Sequence, residues 1–210
     1  MIFADRREAG RILASKLTHL KDRDDVTVLA LPRGGIPVAY EIGRALGAPV
    51  DVFVVRKLGV PGREELAMGA IAAGGIRVIN EDVVEHLGIE PETIDQVTEE
   101  ELEELRRREH AYREDRPPVE IRGRCAILVD DGVATGSTMR AAIAALRQSH
   151  PARIVVAVPV AAPDIYRQLR VEADEVVSVI VEPLFAISQW YARFDQTTDD
   201  EVRELLKHAA

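Results

Sequence analysis

The sequence has little cysteine, few aromatic residues and no long apolar run. Its one cysteine, Cys125, has no partner for an internal disulfide, and its apolar surroundings are typical of a small buried side chain. No apolar run approaches the roughly 20 residues that a membrane-spanning helix needs. Residues 1–7 become charged at once and lack the apolar core of a secretory signal. We therefore expect a protein of the reducing cytoplasm with no membrane partner.

The chain also lacks a surplus of positive charge. Its formal net charge is −9, and residues 81–116, with 14 acidic residues and 5 arginines, hold the whole acidic excess. The rest of the chain is therefore electrically balanced. Because non-specific nucleic-acid binding depends on lysine and arginine neutralising phosphates, we expect no nucleic-acid partner.

Apolar segments of strand and helix type alternate along most of the 210 residues, a length that suits one domain with appendages. Strands are predicted at 26–31, 50–55, 121–130, 153–158 and 175–181, and helices at 5–21, 36–46, 136–149, 162–170 and 199–208. The alternation predicts an α/β fold with a mainly parallel, twisted sheet flanked by helices. Ligands of such sheets bind beyond the carboxyl ends of the strands.

Three intervening segments are predicted less regularly. The glycines and proline in 56–68 indicate a loop, and apolar pieces on either side of Gly74 and Gly75 indicate a hairpin. Residues 81–116 are predicted to be a polar helical insertion that ends at Pro117. Its charges indicate a solvated face, with a homodimer arm or a lid as alternatives.

The most informative segment is 126–138, where a buried strand ends in two adjacent carboxylates, Asp130 and Asp131. A tight loop of small residues and a helix follow, so backbone amides and the helix N-terminus form a cradle for a phosphate. Adjacent acids would repel that anion unless a sugar diol or Mg2+ lies between them. A ribose 5-phosphate fits both requirements. The loop has neither the lysine of a Walker A motif nor a G-x-G-x-x-G pattern.

Residues 126–138 resemble the signature of type I phosphoribosyltransferases: a hydrophobic strand, two acids, two spacer residues and a T-G-S-T-like group. The resemblance implies that Asp130 and Asp131 are catalytic residues that hold the ribose hydroxyls of phosphoribosyl diphosphate. It also implies a cofactor, Mg2+, held mainly by the diphosphate and reached through water by the two aspartates. The implied 5′-phosphate site consists of Ala134, Thr135, Gly136, Ser137 and Thr138.

Two further loops fit the same family. Arg33, Gly34 and Gly35 resemble its pyrophosphate loop, the alternative being a helix-starting turn with a solvent-exposed arginine. Arg56 and Lys57 follow a strand at a place where basic residues of the family approach the diphosphate. The resemblance adds Lys57 to the catalytic residues, the alternative being an ordinary exposed basic pair.

The resemblance implies a core over 1–180, including the helical insertion 81–116, and a C-terminal hood over 181–210. The hood of this family stacks the acceptor base on an aromatic or apolar side chain. Phe185, Trp190 or Tyr191 could do so here, or they could pack the hood on the core.

The implied enzyme is a pentosyltransferase of nucleotide metabolism. It would move the 5-phosphoribosyl group from its Mg2+-bound diphosphate to a nitrogenous acceptor, most simply a nucleobase, and release pyrophosphate. Two alternatives remain open. One is a non-catalytic regulator that binds phosphoribosyl diphosphate and nucleic acid. The other is diphosphoryl transfer from ATP to ribose 5-phosphate, although the ATP motifs of such enzymes are not seen here.

Overall fold

The central sheet has five parallel strands, in the spatial order Val50–Val52, Val26–Ala30, Cys125–Val129, Arg153–Ala161 and Glu175–Val181. A second sheet has three antiparallel strands, in the order Val55–Val60, Arg63–Ala72 and Ile76–Ile79. The computed structural model describes residues 1–114 and 116–209, with only the backbone of Glu65. The strands are β1 (Val26–Ala30), β2 (Val50–Val52), β3 (Val55–Val60), β4 (Arg63–Ala72), β5 (Ile76–Ile79), β6 (Cys125–Val129), β7 (Arg153–Ala161) and β8 (Glu175–Val181). The helices are α1 (Arg6–Ala14), α2 (Gly35–Leu46), α3 (Glu81–Leu87), α4 (Pro91–Arg113), α5 (Ser137–Gln148), α6 (Pro163–Glu172) and α7 (Asp199–Lys207).

Both faces of the central sheet are covered, which confirms the predicted α/β fold class. Every residue of β1 and β6 is buried, as expected for strands in the middle of a parallel sheet. Because successive side chains point to opposite faces, Val28 packs with α1, α2 and α7 while Leu29 packs with α5 and α6. No helix in the described ranges is long and apolar enough to cross a membrane.

The register of the two middle strands positions the site. Ala30 pairs with Val129, so β1 and β6 end side by side at the same edge of the sheet. The loop that follows β1 and the loop that follows β6 therefore leave the sheet as neighbours. These are the segments in which the sequence places Arg33-Gly34-Gly35 and Asp130-Asp131.

One prediction for the intervening segments is wrong. Residues 56–68 are not a loop, because β3 and β4 pair antiparallel there, with irregular register around Gly59. The insertion 81–116 is helical as predicted, but it is divided, because Gly88 adopts a left-handed conformation (φ +60°) and ends α3 before α4 begins. The predicted hairpin around Gly74 and Gly75 is confirmed as the β4–β5 connection.

Helix α4 is fixed to the core rather than extended into solvent. Leu105 and Tyr112 are buried in the same apolar cluster as α2 and α7. Near the end of the helix, Arg113 Nε donates to Oδ1 of the buried Asp51 of β2 at 3.2 Å, and the two charged groups approach to 3.0 Å. The Asp51 carboxylate also accepts hydrogen bonds from the backbone amides of Val52 and Val119. Helix α4 therefore has a charged, exposed face and also side chains that attach it to the core.

Candidate active site

The two loops at the carboxyl edge of the sheet are in direct contact. The amide of Leu31 donates to the carbonyl of Val129 at 2.8 Å. A Cβ added to Gly35 would lie 2.6 Å from the same carbonyl oxygen, and one added to Gly34 would collide with the carboxylate of Asp131. Because only glycine permits this approach, the Gly34-Gly35 pair brings the loop after β1 against the two acids.

The two acids differ in their partners. Asp130 Oδ1 accepts a hydrogen bond from the backbone amide of Asp131 at 2.8 Å. Asp131 Oδ2 accepts one from Arg6 Nε at 2.7 Å, and the guanidinium of Arg6 also lies 3.8 Å from the centre of the Phe194 ring. Arg6 is therefore held between the acid pair and an aromatic side chain near the end of the chain.

Both carboxyl groups are harder to ionise than an ordinary aspartate. Burial raises the pKa of Asp130 well above its usual value, and the neighbouring charge of Asp131 raises it further. Burial also raises the pKa of Asp131, although the hydrogen bond from Arg6 lowers it in part. The pair is therefore short of compensating positive charge or hydrogen-bond donors, which a bound ligand could supply.

These pKa shifts predict how stability depends on pH. Both folded-state pKa values lie above the unfolded ones, so ionisation of the pair destabilises the folded protein as pH rises through the folded-state pKa. We expect Asp130→Asn to unfold at a higher Tm than the wild type near neutral pH, by about 2–4 °C for each kcal/mol gained. This advantage should shrink as pH falls toward the ordinary aspartate pKa of about 4, because carboxyl groups with raised pKa values take up protons before that pH is reached. Thermal melts followed by circular dichroism would show it, and a wild type that is the more stable protein at neutral pH would contradict it.

The first residues of the loop 132–138 contact the rest of the protein, and its last residues are exposed. The amide of Val133 donates to Val160 of β7 at 2.8 Å, and the methylene of Gly132 faces Ile187 so closely that a Cβ there would lie 2.7 Å from it. Gly136 precedes α5 with φ +77°, a conformation that favours glycine. Three hydroxyl-bearing side chains beside it are exposed, namely Thr135, Ser137 and Thr138. This arrangement can present hydroxyl donors and the N-terminus of α5 to an anion.

A cavity of about 690 Å³ opens above the acid pair, a size typical of small-molecule sites. Its wall combines the two strand-end loops with parts of the chain that are distant in sequence. From the loops come Pro32, Arg33, Gly34, Asp130 and Asp131; from elsewhere come Arg6, Arg107, Arg108, Tyr112, Ala186, Ile187, Ser188, Phe194, Gln196, Thr197 and Asp199. Four arginines and three aspartates therefore line one cavity, which suits a ligand that carries both anionic groups and hydroxyls.

The phosphoribosyl transferase domain model matches residues 4–188, which include both strand-end loops and the acid pair. This chain belongs to the phosphoribosyl transferase family. The family membership confirms the resemblance drawn from residues 126–138.

Individual relatives agree with this membership. Two curated proteins of Mycobacterium tuberculosis, each named as a putative phosphoribosyl transferase, are 46% identical over 209 residues, or 99% of this chain. The match covers 47% of each of them, so this chain spans about half the length of these relatives. The crystal structure of TT1426 from Thermus thermophilus is 40% identical, with a TM-score of 0.91 and full coverage of both chains.

A purine phosphoribosyltransferase from Pyrococcus horikoshii shares the fold at lower similarity. The two chains are 16% identical with a TM-score of 0.50, over 92% of this chain and 91% of the other. This likeness supports the type I fold.

The structure brings some of the predicted phosphoribosyltransferase residues together and places others elsewhere. Arg33, Gly34, Asp130 and Asp131 line the cavity. The loop 134–138 follows the acid pair but does not line this cavity, and its Ser137 lines a separate one beside β4 and β5, so its 5′-phosphate role stays a prediction. Arg56 and Lys57 instead line a separate cavity between β3 and α4. There Arg56 Nε donates to Glu101 of α4 at 2.6 Å. The diphosphate-binding and catalytic roles of this basic pair stay predictions.

The aromatic side chains of residues 181–210, the predicted hood, lie in different environments. Phe185 is fully exposed, and Tyr191 is buried against Phe3 with its hydroxyl donating to the backbone carbonyl of Asp131 at 2.6 Å. Trp190 is partly buried and packs with the same cluster. The aromatic side chains that line the cavity are Phe194 and Tyr112. Stacking of an acceptor on Phe185, Trp190 or Tyr191 stays a prediction, and Phe194 is the hood aromatic that lines the cavity.

The position of Tyr191 predicts a structural role. Tyr191→Phe leaves the carbonyl of Asp131 without its buried donor, so we expect the free energy of unfolding to fall by about 1–3 kcal/mol. Phe185→Ala, also in the hood, removes an exposed ring and should change it by less than about 0.5 kcal/mol. Urea unfolding of both variants measures the difference. Equal effects of the two substitutions would contradict this role.

Proposed function

We propose that this protein is a phosphoribosyltransferase that takes phosphoribosyl diphosphate as donor, transfers its 5-phosphoribosyl group to a nitrogenous acceptor and releases pyrophosphate. One observation carries the proposal: the Arg33-Gly34-Gly35 loop touches the acid pair, and the chain continues from that pair directly into the hydroxyl-rich loop 134–138. A donor with a phosphate at one end, a diol in the middle and a diphosphate at the other matches that order of groups.

The residues at the acid pair suit a ribose. A carboxylate accepts hydrogen bonds from sugar hydroxyls, and such charge-assisted bonds are among the stronger ones in proteins. Because Asp130 and Asp131 have raised pKa values, donors that arrive with the ligand would stabilise their ionised forms. Binding of the ribose therefore relieves an electrostatic cost that the protein carries without ligand.

The same residues fit Mg2+. Carboxylate oxygens are ligands that Mg2+ prefers, and a buried acid pair with raised pKa values would be stabilised by a nearby cation. Asp130 and Asp131 would hold the ion, directly or through water, together with oxygens of the donor. When bound, Mg2+ would neutralise charge on the diphosphate and make it a better leaving group.

The protein's own part in the reaction is to position the groups and exclude water. Asp130 and Asp131 orient the ribose, while the guanidinium of Arg33 meets the negative charge of the diphosphate. The acceptor nitrogen forms a bond to the anomeric carbon as the bond from that carbon to the diphosphate oxygen breaks. A transition state of oxocarbenium character is expected for such a displacement. Ala186, Ile187 and Phe194 place apolar surface at the cavity, where it would shield that state from hydrolysis.

Pyrophosphate release tests this function. Incubation with phosphoribosyl diphosphate, Mg2+ and pooled purine, pyrimidine and amine acceptors should release pyrophosphate only when acceptors are present. Asp130→Asn/Asp131→Asn should abolish the release, and division of the pool would then identify the acceptor. Donor binding without release under any acceptor would instead favour a binding protein that does not catalyse transfer. A wild type that neither binds the donor nor releases pyrophosphate would contradict the proposal.

A further inference from the structure

The inserted helix α4 contributes charged side chains to the cavity that also contains the acid pair. Arg107, Arg108 and Tyr112 line it together with Arg33. We propose that Arg107 and Arg108 bind the diphosphate group of the donor, alongside Arg33. This inference rests on the proposed function and assigns a binding role to a segment that the sequence alone marks only as a charged insertion.

The surroundings of Tyr112 show that these groups cluster at one part of the cavity. Burial raises the pKa of the Tyr112 hydroxyl, and the negative charge of Asp199 raises it further. The positive charges of Arg108, Arg33 and Arg107 act in the opposite direction. Because these three arginines and Tyr112 line one cavity, the two arginines of α4 face the same space as the arginine of the Arg33-Gly34-Gly35 loop.

The positive charge of Arg107 and Arg108 is only partly neutralised by neighbouring acidic residues. Both pair with one carboxylate, that of Glu104, at 2.7 Å for Arg107 and 2.6 Å for Arg108. These hydrogen bonds lower the pKa of Glu104 to about 2, so it stays ionised and holds both guanidinium groups in place. Two cations share one anion, and the side chains are still 65% and 37% exposed. A diphosphate would find donors that are already oriented and only half neutralised.

Arg33 is similarly available. Its nearest acidic partner is Asp199 at 3.5 Å, at the limit of a hydrogen bond. Such a long, partly exposed pair contributes little to stability and can be exchanged for a stronger anionic partner. Arg33 can therefore join Arg107 and Arg108 around one polyanionic group.

The position along the donor follows from the other assignments. The loop 134–138 is proposed for the 5′-phosphate and the acid pair for the ribose, so the Arg33 side of the cavity faces the remaining anionic group. That group is the diphosphate. The anchoring of α4 by Arg113 and Asp51 fixes Arg107 and Arg108 relative to the sheet, as a preorganised site requires.

The test measures binding of fragments of the donor by isothermal titration calorimetry. Arg107→Gln/Arg108→Gln should weaken the affinity for Mg2+-pyrophosphate and for phosphoribosyl diphosphate at least tenfold, because charge-assisted bonds to phosphate are lost. The affinity for ribose 5-phosphate should change less than about twofold, since its contacts lie elsewhere. Arg106→Gln is the matched control, because Arg106 is exposed on the same helix outside the cavity lining. This variant should bind all three ligands with affinities within about twofold of those of the wild type.

The outcomes separate this inference from the function on which it rests. Wild-type binding of the donor with unchanged affinity in the double variant would overturn the inference and leave the function intact. A double variant that binds the donor normally but needs more acceptor for half-maximal rate would assign the arginines to the acceptor instead. A wild type that binds neither the donor nor pyrophosphate would overturn both. Circular dichroism would verify that the double variant folds, as expected for partly exposed pairs.

Discussion

Asp131→Asn is expected to lower kcat/KM for phosphoribosyl transfer by about 100-fold, while the free energy of unfolding changes by less than about 1 kcal/mol. The amide still accepts a hydrogen bond from Arg6 but loses the charge that binds the ribose hydroxyl and assists Mg2+. Loss of one charge-assisted interaction at a transition state removes about 2.7–4 kcal/mol, or two to three orders of magnitude in rate. The fold loses little, because ionisation of this buried carboxyl already opposes folding.

The matched control is Asp164→Asn, the same chemical change on the surface of α6. Asp164 is highly exposed and pairs with Arg167 within its own helix. We expect its rate and stability to equal those of the wild type within error. Steady-state kinetics and urea unfolding on the three proteins make the comparison. Full activity of Asp131→Asn would show that the acid pair is not part of the active site. A variant that does not fold would show that Asp131 has a structural role.

Asp51→Ala is expected to destabilise the folded protein by about 3–5 kcal/mol. Its carboxylate is only 4% exposed and pairs with Arg113, itself 12% exposed, so the substitution leaves a largely buried guanidinium with Glu109, at 2.8 Å, as its remaining carboxylate partner. The amides of Val52 and Val119 lose their acceptor as well. The cost is therefore that of a buried charge that loses one of its two carboxylate partners, together with two unsatisfied amide donors.

Asp95→Ala provides the comparison for this second prediction. Asp95 lies on the same helix as Arg113 and forms an ion pair with Arg77 at 2.7 Å, but the two side chains are 64% and 43% exposed. Its removal should cost less than about 1 kcal/mol. Chemical denaturation of both variants measures the difference. If Asp51→Ala unfolds no more easily than Asp95→Ala, α4 is not anchored as described.

Much of the central sheet could be predicted from local pattern alone. The runs that became β1, β6, β7 and β8 are apolar on both faces, a pattern that few other environments produce. The acid pair after β6 was recognisable because its residues are adjacent in sequence. The strands β3 and β4 were missed because Gly59, Pro61 and Gly62 resemble a loop, whereas in the structure the turn occupies only residues 61 and 62.

The composition of the cavity wall could be predicted only in part. Arg33 and Gly34 stand next to recognisable strand ends, but Arg6 reaches Asp131 across 125 positions of the chain. Such long-range contacts depend on how helices pack on the sheet, which no local pattern determines. In the sequence, five residues of 81–116 recur at helical spacing as a narrow apolar stripe, namely Ile94, Val97, Leu102, Leu105 and Tyr112. The neighbouring Arg107 and Arg108 were visible only as charge. Arg107 and Arg108 face the cavity because of the way α4 packs on the core, and the stripe alone does not determine how the helix is oriented there.

The hood shows the same limit. Its aromatic side chains were evident in the sequence, yet their distribution between core and cavity depends on the pairing of Phe3 with Tyr191. That contact joins the first residues of the chain to the last thirty. It buries Tyr191 and leaves Phe194 at the cavity.

The most direct test of the account is a crystal structure of this protein with phosphoribosyl diphosphate and Mg2+ bound. We expect the ribose hydroxyls within hydrogen-bond distance of Asp130 and Asp131, the 5′-phosphate on residues 134–138, and the diphosphate beside Arg33. Density for the donor at any other place, or in the reverse orientation along the cavity, would contradict the proposed site.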